Sequence, residues 1–347
     1  MKWNGFLTAS ILAFTVAGAA MAEEEKVLYF YNWTDYYPPE LLAKFEAETG
    51  IKVIQDGYDS NETLIAKLQA GGAAYDVIVP TDYVIAGMIT DGLLQPINAA
   101  EMSNFQYVKD AFKDPEFDPG RIYTAPYTWG VTGIAYDSAQ VPGGKLDDSW
   151  GVFFEPPPEL EGKIAALDIG SELIQAAALY LGLPQCTESN DDAAKIFALL
   201  EAQKPKLKMY SADSTVDRMA SGEVAMHHLW SGATARAHEI KDTVRFIYPR
   251  EGTPMFRDNF AMPVGAPHPE NAKIFINWMM APENAAAVTN AIAYANSIES
   301  AEFLDDKWKD AESVNMPPEF ADRLVPTEVC SPAAQELRDK IWTRLKG

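Results

Sequence analysis

VLYFYNWTDYYPPELLAKFEAETGIKVI, residues 27–54, reads as one strand–helix–strand unit. Val27, Leu28, Tyr29, Phe30 and Tyr31 form an apolar run of the length of a buried strand. Pro38-Pro39 then opens residues 40–49, where Leu41, Leu42 and Phe45 share one helical face. Proline suits the first turn of a helix, and Gly50 stops it. Residues 51–54 return to an apolar strand.

The pattern repeats downstream. Ser60 or Asn61 can cap a helix through Gln69 that ends at Gly71-Gly72. A third strand follows at 76–80, and a helix covers roughly 83–90. After Val141-Pro142-Gly143-Gly144 a second series begins, with a strand at 163–167, helices at 172–181 and 192–203, and a strand at 224–229. Pro156-Pro157-Pro158 is a stiff loop, and no short repeat or low-complexity segment interrupts the chain. This alternation predicts an α/β fold in which mainly parallel sheets are flanked by helices. A chain of 347 residues exceeds a single core, so two lobes with a ligand cleft between them are expected.

Lys2 precedes an apolar, uncharged stretch from Phe6 to Ala19, and Ala20-Met21-Ala22 supplies small residues before Glu23-Glu24-Glu25. That is the build of a signal peptide (residues 1–22) cleaved after Ala22, and the stretch is too short to span a bilayer. The mature chain then carries 27 basic and 50 acidic residues, net −23, which disfavours nucleic acid as a partner. No later segment is apolar for long enough to enter a membrane. Cys186 and Cys330 are an even pair in an oxidising compartment; a disulfide and two unpaired thiols are both open.

Motifs of catalysis are missing. The sequence has no G-x-G-x-x-G, G-x-x-x-x-G-K-[ST], G-x-S-x-G or H-E-x-x-H pattern, and its cysteines lack zinc spacing. His227 and His228 lie in a strand-like run, so one is expected buried and the other exposed. What recurs instead is aromatic rings beside carboxylates just after strands. Tyr31-Asn32-Trp33-Thr34-Asp35-Tyr36-Tyr37 and Thr81-Asp82-Tyr83 follow the first and third strands, where open α/β sheets bind ligands. Pro126-Tyr127-Thr128-Trp129-Gly130, Leu229-Trp230-Ser231-Gly232, Phe256-Arg257-Asp258 and Tyr294-Ala295-Asn296 are read as further loop sites. Each ring taken singly suits a core; their gathering at loop positions suits a site.

The run LYFYNWTDYYPPELLAKFEAETGIKV, with YDSNETLIAKLQAGGAAYDVIVPTDY, resembles the polyamine-binding (spermidine/putrescine) periplasmic proteins of ABC transporters. The likeness continues through YTAPYTWGVTGIAYD, LEGKIAALD, SGEVAMHHLWSGATARA and YPREGTPMFRDNFAMP, over nearly the whole mature chain. It implies the two-lobed periplasmic-binding-protein fold, with residues 27–135 plus 254–303 in one lobe and 136–253 plus 304–347 in the other.

The same resemblance implies a ligand site. Trp33 would wall the methylene chain, Thr34 and Tyr36 would offer oxygens, and Asp35 would hold an ammonium or face solvent. Thr81 and Tyr83 match a hydroxyl residue and an aromatic, Asp168 and Glu172 match acids, and Trp230 matches the wall of the second lobe. Phe256, Asp258 and Tyr294 match an aromatic, the central carboxylate and another aromatic. The chain departs from the family pattern at Ile169, which replaces the second of two paired acids, and at Arg257, which stands where an apolar residue is familiar. If Arg257 points away from the cleft it is harmless; if it enters, it favours a ligand bearing a carboxylate.

A polyamine is a flexible rod of ammonium groups, and carboxylates with flat aromatic walls suit it chemically. The resemblance therefore implies a monomeric, exported, non-enzymatic binding protein that uses no cofactor or metal. It would capture putrescine or spermidine and deliver it to an inner-membrane ABC permease. Another amine or amino-acid derivative on the same scaffold, a secreted hydrolase or lyase, and a sensor remain alternatives.

Overall fold

The computed structural model describes Met1 and residues 24–34, 36–71 and 74–347. The expected leader lies, Met1 apart, outside these residues, and so does Asp35. The opening stretch folds as read: strand Val27–Trp33, helix Pro39–Thr49 and strand Lys52–Tyr58. Gly50 ends the helix with φ 71°, its N–H donating to the Glu46 carbonyl, a left-handed stop that glycine adopts without strain. Leu41, Leu42 and Phe45 are buried, and Phe45 packs edge-on against Phe275 at 5.0 Å. Burying each such side chain stabilises by roughly 1.5–3 kcal/mol. Ser60 caps helix Asn61–Gln69 by accepting from the Thr63 N–H.

The sheet has a parallel region at each end and an antiparallel centre. At one end Val27–Trp33 lies parallel to Lys52–Tyr58 and Val77–Ile78. At the other, Ile164–Ala166 lies parallel to Met209–Tyr210 and Met226–Trp230. Between them run two long antiparallel strands, Thr124–Asp137 and Thr253–Pro263. The 14-residue strand Thr124–Asp137 absorbs the segment expected to be a loop at Pro126–Gly130. Pro126, Gly130 and Gly133 hid it, because these residues ordinarily interrupt strands. Both glycines are required by close approach: a Cβ on Gly133 would lie 2.4 Å from the Ile247 carbonyl oxygen.

This one strand serves two apolar clusters. Ala125 and Tyr127 join the cluster of Phe30, Phe45, Phe260 and Phe275. Ile134 and Tyr136 join that of Trp150, Phe153, Ile164 and Leu173. The C-terminal strand Leu324–Pro326 returns to pair with residues 253–255, and Cys186 is disulfide-bonded to Cys330, with Cα atoms 5.1 Å apart. Among the described residues no helix is long and apolar enough to cross a membrane.

His227 and His228 depart from expectation, since both are fully buried. Strand Met226–Trp230 is covered on both faces, so alternation exposes neither ring. His227 bonds the His228 carbonyl oxygen through Nδ1, and His228 packs against Trp150 and Phe153. Burial pushes both imidazoles down to about 3, so both are neutral at pH 7.

Candidate ligand-binding site

The centre of the site is made by a register shift. Arg257 pairs with Trp129 and Asn259 with Pro126, so Tyr127 and Thr128 together oppose Asp258. Freed from that ladder, Asp258 bridges to Thr81. Its buried carboxylate accepts from the Tyr36 and Thr81 hydroxyls, both at 2.7 Å, and Tyr36 Oη accepts from Thr128 at 2.9 Å. Burial pushes Asp258 up to about 7 against the pull of the two hydroxyls, and the charges of Asp82 and Glu172 push the same way.

Glu172 is the second carboxylate. It stands in the first turn of helix Gly170–Tyr180, where the helix dipole favours an acid. It accepts from Thr132 Oγ1 at 2.7 Å and from Trp230 Nε1 at 3.0 and 3.1 Å. Burial raises its pKa against these donors. Among the described residues no lysine or arginine forms a salt bridge with Asp258 or Glu172.

Rings fill the space beside these carboxylates. Phe256 and Tyr294 meet edge-on at 5.8 Å, and Tyr36 lies 5.5 Å from Tyr294. Glycine admits them: a Cβ on Gly130 would lie 2.7 Å from Phe256 Cζ, and one on Gly232 would lie 2.7 Å from the Tyr294 ring. Thr128, Gly130 and Thr132 therefore form one face of a strand, with a hydroxyl at each end and room for rings in the middle.

Residues 40–317 match the family of bacterial extracellular solute-binding proteins. This chain belongs to that family. Over its full length the solute-binding protein is 33% identical to the putrescine-binding periplasmic protein SpuD of Pseudomonas aeruginosa, covering 99% of it. It is 32% identical to the spermidine/putrescine-binding periplasmic protein of Escherichia coli, across 90% of this chain and 92% of that one. The solved structure of a putative spermidine/putrescine ABC transporter protein from Listeria monocytogenes superposes with a TM-score of 0.87 at 29% identity, covering 93% of this chain and 99% of that one. The expected fold family is thus established, with an antiparallel centre added to the parallel sheets.

The fold of this solute-binding protein gathers Tyr36, Thr81, Glu172, Trp230, Phe256, Asp258 and Tyr294. Trp33 stands beside them, its indole donating to the Val79 carbonyl at 2.9 Å and its ring 4.7 Å from that of Tyr58. Thr34 is exposed and bonds the Tyr58 carbonyl. Tyr83 accepts from Asn61 at 2.9 Å and feels the charge of Glu172. Asp168 is not brought in: it is exposed and paired with Lys346 at 2.7 Å. Arg257 turns away from Asp258 and holds Asp82 and Glu116.

Thr132 and Tyr58 carry no expectation, Thr128 only that of the loop site at 126–130, and Asn61 only that of a helix cap. Asn61 accepts from the Thr81 N–H and donates to Tyr83, and Tyr58 donates to the Val79 carbonyl. The Thr-x-Gly-x-Thr alternation of residues 128–132 is the sequence signal that marks this strand face.

Proposed function

We propose that this solute-binding protein captures a linear di- or polyamine in the periplasm and hands it to an ABC permease, as a monomer and without chemistry. The supporting observation is the pair Asp258 and Glu172, a buried and a half-buried carboxylate held by neutral donors, with no protein cation on either among the described residues. An ionised carboxylate without a counter-charge is costly to bury, and a ligand ammonium supplies that charge. The faces of Trp230 and Phe256 and the Tyr294 ring suit the methylenes and attract the cation by about 0.5–2 kcal/mol. Names of full-length relatives at 30–33% identity support the same ligand class.

In this reading residues 27–135 plus 254–303 and residues 136–253 plus 304–347 are the lobes that close on the ligand, and the leader is removed after Ala22. A ligand carboxylate received by Arg257 is disfavoured, because Asp82 and Glu116 occupy that guanidinium. Calorimetric titration of ligand-stripped protein tests the proposal. Binding of putrescine or spermidine, with 4-aminobutyrate silent, is expected; silence toward both amines overturns it.

A further inference from the structure

Thr81-Asp82 and Arg257-Asp258 lie side by side in antiparallel sense, and the two pairs they form face opposite ways. On the cleft side Thr81 donates to Asp258. On the reverse side Arg257 Nε donates to Asp82 Oδ2 at 2.6 Å. Alternation of neighbouring side chains explains the split. The reverse pair is well made: Asp82 is 1% exposed, its other oxygen accepts from the Tyr83 N–H, and Arg257 also bonds Glu116 and lies 5.0 Å from the Phe117 ring centre.

We propose that Arg257 is a positioning residue for ligand capture: by holding Asp82 on the back of the strand, it leaves Asp258 on the front free to carry the charge that receives an ammonium. This rests on the amine-binding reading above. Asp82 and Glu172 flank Asp258, and the charge of each opposes its ionisation. Arg257 is the cation bonded within that group. Asp258 is otherwise faced by Tyr36, Tyr58, Tyr127 and Tyr294, all with pKa values raised by burial and hence neutral at pH 7. Arg257 is faced by Asp82, Glu116 and the charge of Arg121. Without Arg257, Asp82 would lose protons only at higher pH, and once ionised its uncompensated charge behind Asp258 would favour the protonated form of Asp258, which offers an ammonium no counter-charge.

The test is putrescine affinity as a function of pH, measured by calorimetry on the full mature chain. Wild-type affinity should fall as pH drops through the titration of Asp258. In Arg257→Met this acid limb should move up by about one pH unit, giving a roughly fivefold greater loss near pH 7 and near wild-type affinity at pH 9. Asp82→Asn should move it the opposite way, which keeps the test decisive if Arg257→Met does not fold. The double variant, with both members of the buried pair neutral, should return the limb toward its wild-type position. Limbs that stay put in both single variants, or an equal loss at every pH, overturn the role of Arg257 and leave amine capture standing. Wild-type protein that binds no diamine overturns both.

Discussion

Thr128 and Thr132 stand on one face of a single strand and give their hydroxyls to opposite ends of the site. Thr128 donates to Tyr36, which donates to Asp258, while Thr132 donates to Glu172. Four residues of extended chain set these anchors about 13 Å apart. The strand that links the two apolar clusters therefore also carries the supports of both carboxylates, Asp258 and Glu172.

Asp258→Asn should weaken diamine binding by about 2–3 kcal/mol, roughly 30–150-fold, because it removes the charge from a charge-assisted bond while keeping the shape. Calorimetry gives the affinity, and circular dichroism should show the fold intact. Unchanged affinity would remove Asp258 from the site.

The contribution of Asp258 and Asp82 to stability without ligand should fall as pH rises from about 4 to 7, while the depressed His227 and His228 act the other way up to about pH 6.5. Asp258, raised to about 7, and Asp82, raised to about 6, bind protons in the folded state that the unfolded chain has already released. Their shifts therefore oppose folding progressively across this window. Affinity for a diamine should change the other way, rising with pH through 7. Between pH 5 and pH 8 the melting temperature of Asp258→Asn should rise relative to that of wild type; a constant offset between the two would contradict the assignment.

Gly232→Ala places a methyl group 2.7 Å from the Tyr294 ring, which must then shift. Overpacking of this kind costs about 1–3 kcal/mol. Both the melting temperature and putrescine affinity should drop. Pairing the change with Tyr294→Leu, which clears the clash, should recover the melting temperature and not the affinity.

Asp168→Ala should leave amine affinity within about twofold of wild type, since an exposed pair such as Asp168–Lys346 contributes at most about 1 kcal/mol and its charge does not figure among those acting on Asp258 or Glu172. A tenfold loss in titration would return Asp168 to the ligand.

Reduction should destabilise the protein. The Cys186–Cys330 bond spans 144 residues, and the chain-entropy account assigns a loop of that length about 5 kcal/mol. Dithiothreitol should lower the melting temperature of wild type and leave that of Cys186→Ser unmoved.

Local physical chemistry is legible along the chain. The apolar run at 27–31, the proline-opened helix with its Gly50 stop and the cap at Ser60 each depend on neighbours a few residues away, so sequence alone determined them. Residue chemistry together with family resemblance also singled out Asp258, Glu172 and the aromatic residues around them. What tertiary structure decided is which groups meet. Tyr36 and Asp258 are 222 positions apart, and Thr81 and Asp258 are 177 apart. The register shift that frees Asp258, the face to which Arg257 turns and the burial of both His227 and His228 follow from strand pairing. No local pattern encodes that pairing, because a strand's register is set by the partner it finds across the sheet.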